Sequence, residues 1–113
     1  MRDDVLEQVI AYIDNSTDSI PKIYDLCRKF PVSKRTLEYA FRERFGATPK
    51  KYIKALRLNQ VRKMLKQKSS KSERITNIAN RFGFWHMGQF ASDYRSLFGE
   101  LPSETRRRNP IFQ

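Results

Sequence analysis

Hydrogen-bonding side chains gather on one side of two short stretches whose apolar residues recur at helical spacing. One group lies opposite Leu37 and Phe41, and the other lies opposite Phe90 and Tyr94. Arginine matches the O6 and N7 acceptors of guanine, glutamine matches the N6 and N7 edge of adenine, and methionine can touch a thymine methyl. Side chains of these types therefore predict contacts with base edges in DNA. The predicted base-contacting residues are Lys34, Arg35, Glu38, Tyr39, Arg42, His86, Met87, Gly88, Gln89, Ser92 and Arg95.

The two groups belong to an internal repeat. Residues 33–49, SKRTLEYAFRERFGATP, align with residues 86–102, HMGQFASDYRSLFGELP, at a spacing of 53 positions. A repeat constrains the architecture before single residues are interpreted. Here it predicts two copies of one helix-turn-helix unit, which reads double-stranded DNA at two neighbouring places. The matched pairs are Leu37 with Phe90, Phe41 with Tyr94, Phe45 with Phe98, Gly46 with Gly99, and Pro49 with Pro102.

The spacing of apolar residues and the positions of capping residues predict seven helices and no strand. The first helix is predicted to end near Asn15, and Ser19 is predicted to cap the second. Ser33 is predicted to cap the third helix, and Gly46 to end it. The remaining helices are predicted at 48–67, at about 73–82, at about 86–98, and from Pro102 into the arginines at 106–108.

These elements predict an all-α fold in which two helix-turn-helix subdomains are joined by a long central helix. The first subdomain is predicted at 1–47, the connecting helix at 48–67 and the second subdomain at 68–113. The polar segment 67–73, QKSSKSE, interrupts the helical pattern and is predicted to be a flexible connection.

The length of the connecting helix suits a role as a spacer between the subdomains. Its 20 residues from Thr48 to Gln67 span about 30 Å at 1.5 Å per residue. The major groove returns to the same face of DNA about every 34–36 Å. A rod of this length is expected to hold two recognition helices in successive major grooves. The predicted phosphate-contacting residues are Ser33, Thr36, Lys50, Lys51, Lys54, Arg57 and Arg106.

The positive charge of the chain is concentrated in one region. The 113 residues carry a formal net charge of +11, with a pI of about 10.2. Residues 34–74 hold 14 basic and 3 acidic residues, so the rest of the chain is balanced. A local excess of this size, running from the third predicted helix through the connecting helix, indicates a polyanionic partner such as DNA.

Several single residues allow more than one interpretation. Glu38 either forms an ion pair with Arg42 four positions later or accepts a hydrogen bond from cytosine, and both alternatives stay open. Trp85 is expected to pack in the turn beside Phe84 and not to form a platform for base stacking. Gly88 weakens its helix by roughly 1 kcal/mol, which is explained if the helix backbone closely approaches another molecule there.

No catalytic site, metal site or cofactor is predicted. The sequence has no glycine-rich phosphate loop and no cluster of metal ligands, and His86 is its single histidine. Cys27 matches Ala79 in the repeat and is expected to be a small core residue. No apolar run approaches the roughly 20 residues of a membrane span, and the acidic beginning does not resemble a secretory signal. A cytoplasmic protein associated with the nucleoid, without a membrane partner, is expected.

The stretch ITNIANRFGFWHMGQFASDYRSLFGELPSE, residues 75–104, resembles the C-terminal motif of the AraC/XylS family of bacterial transcription regulators. It has that motif's Ile-Ala, Gly-Phe, Phe, Phe-Gly and Pro in order, and the resemblance covers about residues 5–106. Its segment GFWHMGQFASDY is similar to the branch that contains the ethanolamine-utilisation regulator. The resemblance implies that the third and sixth helices enter adjacent major grooves. It places base contacts at Arg35, Glu38 and Tyr39 and at Met87, Gly88 and Ser92.

The resemblance also implies activation of transcription through contact with RNA polymerase. Larger family members carry an effector-binding or dimerisation domain, which is expected to be absent from this chain, so an excised C-terminal domain is favoured over a small complete regulator. Two departures from the family pattern are Phe30-Pro31, in place of a glycine-containing turn, and Leu101, where a threonine is frequent. The predicted function is a sequence-specific regulator that binds double-stranded DNA. The alternative is an architectural protein that binds nucleic acid without sequence preference.

Overall fold

The computed structural model of the chain describes residues 3–16 and 20–108. Throughout this part the regular elements are helices, so the prediction of an all-α fold with seven α-helices is confirmed. None of these helices is both long enough and apolar enough to span a bilayer. The helices are α1 (Asp3–Asn15), α2 (Ile23–Lys29), α3 (Lys34–Phe45), α4 (Pro49–Leu65), α5 (Ile75–Arg81), α6 (Met87–Phe98) and α7 (Pro102–Arg108).

The chain forms two compact units, Met1–Leu56 and Arg57–Gln113, and the boundary between them falls inside α4. The division into 1–47, 48–67 and 68–113, with the connecting helix as a separate part, stays a prediction.

The core of the first unit is built from the inner faces of α1, α2, α3 and the beginning of α4. Its buried members are at most 7% exposed, and Phe41 is fully buried. The Phe41 ring lies 5.3 Å from the Phe45 ring and 5.4 Å from the Tyr52 ring, measured between centroids. These contacts hold α3 so that one face is fixed and the other is free. The core residues are Leu6, Val9, Ile13, Leu26, Leu37, Phe41 and Ile53.

The turn between α2 and α3 is made without glycine. The Phe30 N–H donates to the Leu26 carbonyl at 2.9 Å, and the Val32 N–H donates to the Phe30 carbonyl at 2.8 Å. Among the described residues, positive φ occurs only at glycines, so Phe30 and Pro31 turn the chain with ordinary backbone angles. The second unit uses Gly83 instead, with φ +94°. The two copies of the repeat therefore reverse direction by different means.

The predicted ends of α3 are confirmed. The Ser33 Oγ accepts a hydrogen bond from the Thr36 N–H at 3.2 Å and caps the helix. Gly46 ends it with φ +68°, and Gly99 ends α6 in the same way with φ +75°. A left-handed conformation of this kind favours glycine, which has no Cβ. By contrast, α2 begins after Lys22 without a side-chain cap, and the predicted cap Ser19 lies outside the described residues.

Helix α4 is shorter than its sequence predicts. Thr48 caps it through its Oγ1, which accepts from the Lys51 N–H at 3.3 Å. The helix ends at Leu65 and has 17 residues, which corresponds to about 25 Å. The Ser70 hydroxyl donates to the Met64 carbonyl, and it also lies 3.0 Å from the Gln67 carbonyl. These bonds give partners to carbonyls at and just after the end of the helix, which have none within it.

The segment after α4, which the sequence predicts to be a flexible connection, has a regular turn and internal hydrogen bonds in the structure. Residues Lys68–Ser70 form a 3-10 helix, and Ser70 is buried. The Arg106 guanidinium of α7 donates to the Ser70 carbonyl at 3.1 Å. The polar composition of this segment reflects its turn and its side-chain hydrogen bonds.

The second unit is closed by a polar network behind α6. The buried Tyr94 hydroxyl donates to the Thr105 Oγ1 at 2.7 Å, and the Thr105 hydroxyl donates to the Glu100 carboxylate. Burial raises the pKa of Tyr94, and the Thr105 hydrogen bond lowers the pKa of Glu100. The Glu104 carboxylate accepts from the Leu101 N–H at 2.8 Å. This bond is half of a capping box, and it compensates for the missing hydroxyl at Leu101.

Candidate nucleic-acid interface

The outer face of α3 is formed by the five residues predicted in this helix to contact bases. Lys34, Arg35, Tyr39 and Arg42 are exposed, and Glu38 is half-buried. Tyr39 is the most unusual of them, because its aromatic side chain is 65% exposed. The helix is fixed from behind by Leu37 and Phe41, so these side chains project from a rigid support.

The charges on this face are not neutralised by each other. Within the described part of the chain, no ion pair joins Glu38 to Arg42, so that alternative for Glu38 is not found. The neighbouring Arg44, which is not one of the five, forms an ion pair with Glu7 of α1. Two predicted phosphate contacts, Ser33 and Thr36, already hydrogen-bond to each other at 2.9 Å as part of the helix cap.

The outer face of α6 carries the second predicted set. His86, Gly88, Gln89, Ser92 and Arg95 are exposed, and Met87 is half-buried. Phe90 and Tyr94 lie on the buried side, at 3% and 0% exposure. His86 precedes the helix in an extended conformation and makes no side-chain cap, unlike Ser33 in the first unit.

Gln89 is oriented by a neighbour on the same helix. Its Nε2 donates to the Asp93 Oδ1 at 2.9 Å, one turn further along. Pairs at this spacing stabilise a helix modestly. The bond restricts the rotamers of Gln89 and leaves its amide at the exposed surface.

The structure gives no internal reason for glycine at position 88. Gly88 lies in the first turn of α6, and a Cβ placed on it meets no atom within 4 Å. Its φ is also outside the left-handed region. Neither packing nor backbone conformation within the chain therefore requires the small residue.

The predicted phosphate contacts in α4 separate into two groups. Lys50 and Lys51 are exposed at the start of the helix, and Lys54 is half-buried. Arg57 is fully buried, and its Nη1 donates to the Gln60 Oε1 at 2.9 Å. A side chain with no exposed surface cannot reach a phosphate in this conformation, so the prediction for Arg57 is wrong.

A helical spacing signal identifies Arg57 as an internal residue. It lies four residues after Ile53 and four before Val61, on a buried stripe that continues to Leu65. Residues at this spacing share one helix face. Arg106 is also engaged within the chain, through the Ser70 carbonyl. That bond competes with a phosphate contact, which stays a prediction for Arg106.

The expected packing of Trp85 is wrong. The indole is 70% exposed, whereas the neighbouring Phe84 is 7% exposed and lies with its ring centroid 5.2 Å from that of Phe90. Phe84 occupies the internal place in the turn, and Trp85 is directed outwards beside the first residues of α6.

Clusters of three or more His, Cys, Asp or Glu side chains that could hold a metal ion do not occur in the described ranges. The predicted site residues that are exposed lie mainly on the two outer faces and at the start of α4. Each outer face consists of hydrogen-bonding side chains on a helix whose other side is buried. This is the arrangement that a helix needs for contacts in a major groove about 12 Å wide.

Sequence comparisons give a consistent result. Residues 26–108 match the profile of a family described as a helix-turn-helix domain. The XylDLEGF operon transcriptional activator of Pseudomonas putida is 38% identical over 102 residues, which cover 90% of this chain and 32% of that protein. The chain thus spans about a third of the length of this protein and of several other curated relatives.

Two solved structures resemble the whole described fold. A transcriptional regulator from Chromobacterium violaceum, of the group with AraC-type DNA-binding domains, has a TM-score of 0.84 and 29% identity. The match covers 96% of this chain and 95% of that one. A probable AraC family transcriptional regulator from Rhodopseudomonas palustris has a TM-score of 0.78 and 32% identity, over 94% and 97% of the two chains.

Proposed function

The chain belongs to the AraC/XylS family of transcription regulators, and from this membership we propose that it binds double-stranded DNA sequence-specifically with α3 and α6. The observation that carries the proposal is the repeated helix with a buried apolar side and an exposed hydrogen-bonding side. Each such helix enters one major groove, and the two grooves follow each other along the DNA.

The outer face of α3 reads the first half of the site. Arg35 offers two parallel donors to the O6 and N7 of a guanine. Tyr39 lies one turn further along and is exposed enough to touch a base edge or a thymine methyl. Arg42 extends the same face towards the end of the helix.

The outer face of α6 reads the second half. Gln89 offers the donor and acceptor pair that fits adenine, once its amide turns from Asp93 to the base. Met87 is placed for apolar contact with a thymine methyl, and Ser92 for a hydrogen bond. Gly88 allows the helix backbone to lie close to the DNA.

The exposed lysines at the start of α4 position the protein without reading sequence. Lys50 and Lys51 contact phosphates in this proposal, and Lys54 assists them. The chain acts at the nucleoid as an activator, as the name of its Pseudomonas putida relative indicates for that protein. Contact with RNA polymerase is part of this proposal, and transcription in vitro with and without the chain tests it.

Selection of bound sites from a random DNA pool, followed by footprinting, tests the proposed function. The expected footprint has two protected segments centred about 10 bp apart on one face of the DNA. The selected site should bind about 10³-fold or more tightly than random DNA. Equal binding to all sequences would instead identify a non-specific architectural protein, and a single short segment would contradict the use of two helices.

Substitutions on the two outer faces should each relax one half of the site. Arg35→Ala and Gln89→Ala are each expected to weaken the selected site by about 1–3 kcal/mol. Sequence preference should be lost only in the half read by the substituted helix. The matched control is Lys50→Ala, which removes a phosphate contact and weakens all sequences about equally. If Arg35→Ala weakens binding to all sequences equally, as Lys50→Ala should, then α3 contacts phosphates and does not read bases.

Gly88→Ala should raise the stability of the protein and lower its affinity for DNA. Alanine fits the open space at this position and favours the helix, so the free energy of unfolding should rise by up to about 1 kcal/mol. Affinity for the selected site should fall, because the added methyl group holds α6 away from the DNA. Urea unfolding and titration with labelled DNA measure the two effects.

The control for Gly88→Ala is Ser103→Ala, since Ser103 is likewise exposed at the second position of its helix, α7. This variant should leave the affinity unchanged. A Gly88→Ala protein that binds as tightly as the original chain would show that the backbone of α6 does not approach DNA at this residue.

A further inference from the structure

The turn between α5 and α6 exposes an aromatic side chain that the proposed function leaves without a role. Trp85 is the single tryptophan of the chain, and 70% of its surface is exposed. No hydrogen bond or ring contact of the indole is found within the described residues. Tryptophan combines a large apolar surface with one N–H donor, so it usually finds a partner for both.

The backbone that leads into Trp85 is held firmly by hydrogen bonds of the two preceding residues. The Phe84 N–H donates to the Ala79 carbonyl at 3.0 Å, and the Gly83 N–H donates to the Asn80 carbonyl at the same distance. The Phe84 ring is buried against Phe90. A side chain that projects from such a fixed turn loses little backbone freedom when it binds.

The first copy of the repeat has no counterpart to this aromatic side chain. The matching residue, 53 positions earlier, is Val32, which is half-buried. The exposed indole is therefore a property of the second unit alone and is not a requirement of the helix-turn-helix geometry.

We propose that Trp85 is a DNA-binding residue of the second unit. It lies directly before His86, at the end of α6 whose residues contact base edges in the proposed function, on which this inference rests. A residue at this place meets the rim of the major groove, where phosphates and deoxyriboses lie. The indole face packs against a deoxyribose or a thymine methyl, and its Nε1–H donates to a phosphate oxygen.

The fluorescence of the single tryptophan tests the proposal directly. A dye-labelled duplex carrying the selected site reports binding through its own anisotropy, independently of Trp85. In the same titration, the tryptophan emission should change as the complex forms. Quenching by added acrylamide should fall several-fold, because DNA covers the exposed indole.

Substitutions measure how much the contact contributes. Trp85→Ala should weaken the selected site by about tenfold, and Trp85→Phe by less, because it keeps an aromatic ring although it loses the N–H donor and part of the ring surface. Circular dichroism should show both variants folded, since the side chain is exposed. The matched control is Leu97→Ala, which removes an exposed apolar side chain from the other end of α6 and should not change the affinity.

The outcomes distinguish failure of this inference from failure of the proposed function. If anisotropy reports specific binding but the emission and the quenching of Trp85 stay unchanged, Trp85 does not contact DNA and the inference is overturned. The inference is also overturned if Trp85→Ala binds the selected site as tightly as Leu97→Ala does. If the duplex does not bind at all, the proposed function fails and the inference fails with it.

Discussion

Phe41→Ala is expected to lower the free energy of unfolding of the first unit by about 3–5 kcal/mol. Phe41 is fully buried, and its ring contacts the rings of Phe45 and Tyr52. Removing the ring leaves a cavity under α3 that the surrounding side chains fill only in part. A loss of this size is a large fraction of the stability of a small unit. Urea unfolding followed by circular dichroism measures it.

The matched control is Phe45→Ala, one turn later in the same helix. Phe45 is 37% exposed, so its removal should cost about 1–2 kcal/mol. In footprints, Phe41→Ala should lose protection of the first half of the DNA site before the second, because α3 is no longer held in place. A Phe41→Ala protein no less stable than Phe45→Ala would show that α3 is not anchored by this ring.

Binding to the selected DNA site should weaken steeply as salt is added. Each protein cation that replaces a condensed counterion contributes about −0.9 to the slope of log K against log salt concentration. If all six exposed basic groups at the proposed positions contribute, the slope is about −5. Affinity then falls about a thousandfold between about 50 and 200 mM salt. The six groups are Lys34, Arg35, Arg42, Lys50, Lys51 and Arg95.

Single substitutions assign this slope to residues. Lys51→Ala should make the slope less negative by about 1. The control is Lys68→Ala, which removes an exposed lysine from the 3-10 helix, outside the proposed contacts. A slope shallower than about −2 for the unsubstituted chain would mean that most of these six groups stay solvated and displace no counterion from the DNA.

The ends of the recognition helices are the features that the sequence predicts best, because each depends on one local residue. Gly46 and Gly99 stop α3 and α6 in the left-handed conformation, and Ser33 caps α3. The end of α4 is different. There the Ser70 hydroxyl reaches back to the Met64 carbonyl, and a contact over six residues is not visible in helical periodicity.

Residue type is a misleading guide at Arg57 and Trp85. An arginine suggests an exposed contact and a tryptophan suggests the interior, but the structure reverses both. The position of a residue on its helix predicts burial better here, since Arg57 lies at helical spacing from Ile53 and Val61, which are buried. At the other site, Phe84 already fills the interior place of the turn.

The candidate interface also has one part that the sequence predicts and one part that it does not. Which side of α3 and of α6 is exposed follows from the positions of Leu37, Phe41, Phe90 and Tyr94, and the sequence predicts it. The base that each exposed side chain meets depends on the DNA partner and on the approach of the helix. Those assignments stay predictions until a bound site is known.

The boundary between the two compact units lies within α4. The units therefore cannot be exchanged between related proteins as separate pieces. Ile53 belongs to the core of the first unit, while Val61 and Leu65 continue the same buried stripe beyond the boundary. A chimeric protein joined inside α4 combines two halves of that stripe from different parent proteins. A chimeric protein that receives all of α4 from one parent replaces Ile53, which belongs to the core of the first unit. New combinations of half-site preference are therefore reached more readily by exchanging exposed residues of α3 or α6 than by shuffling whole units.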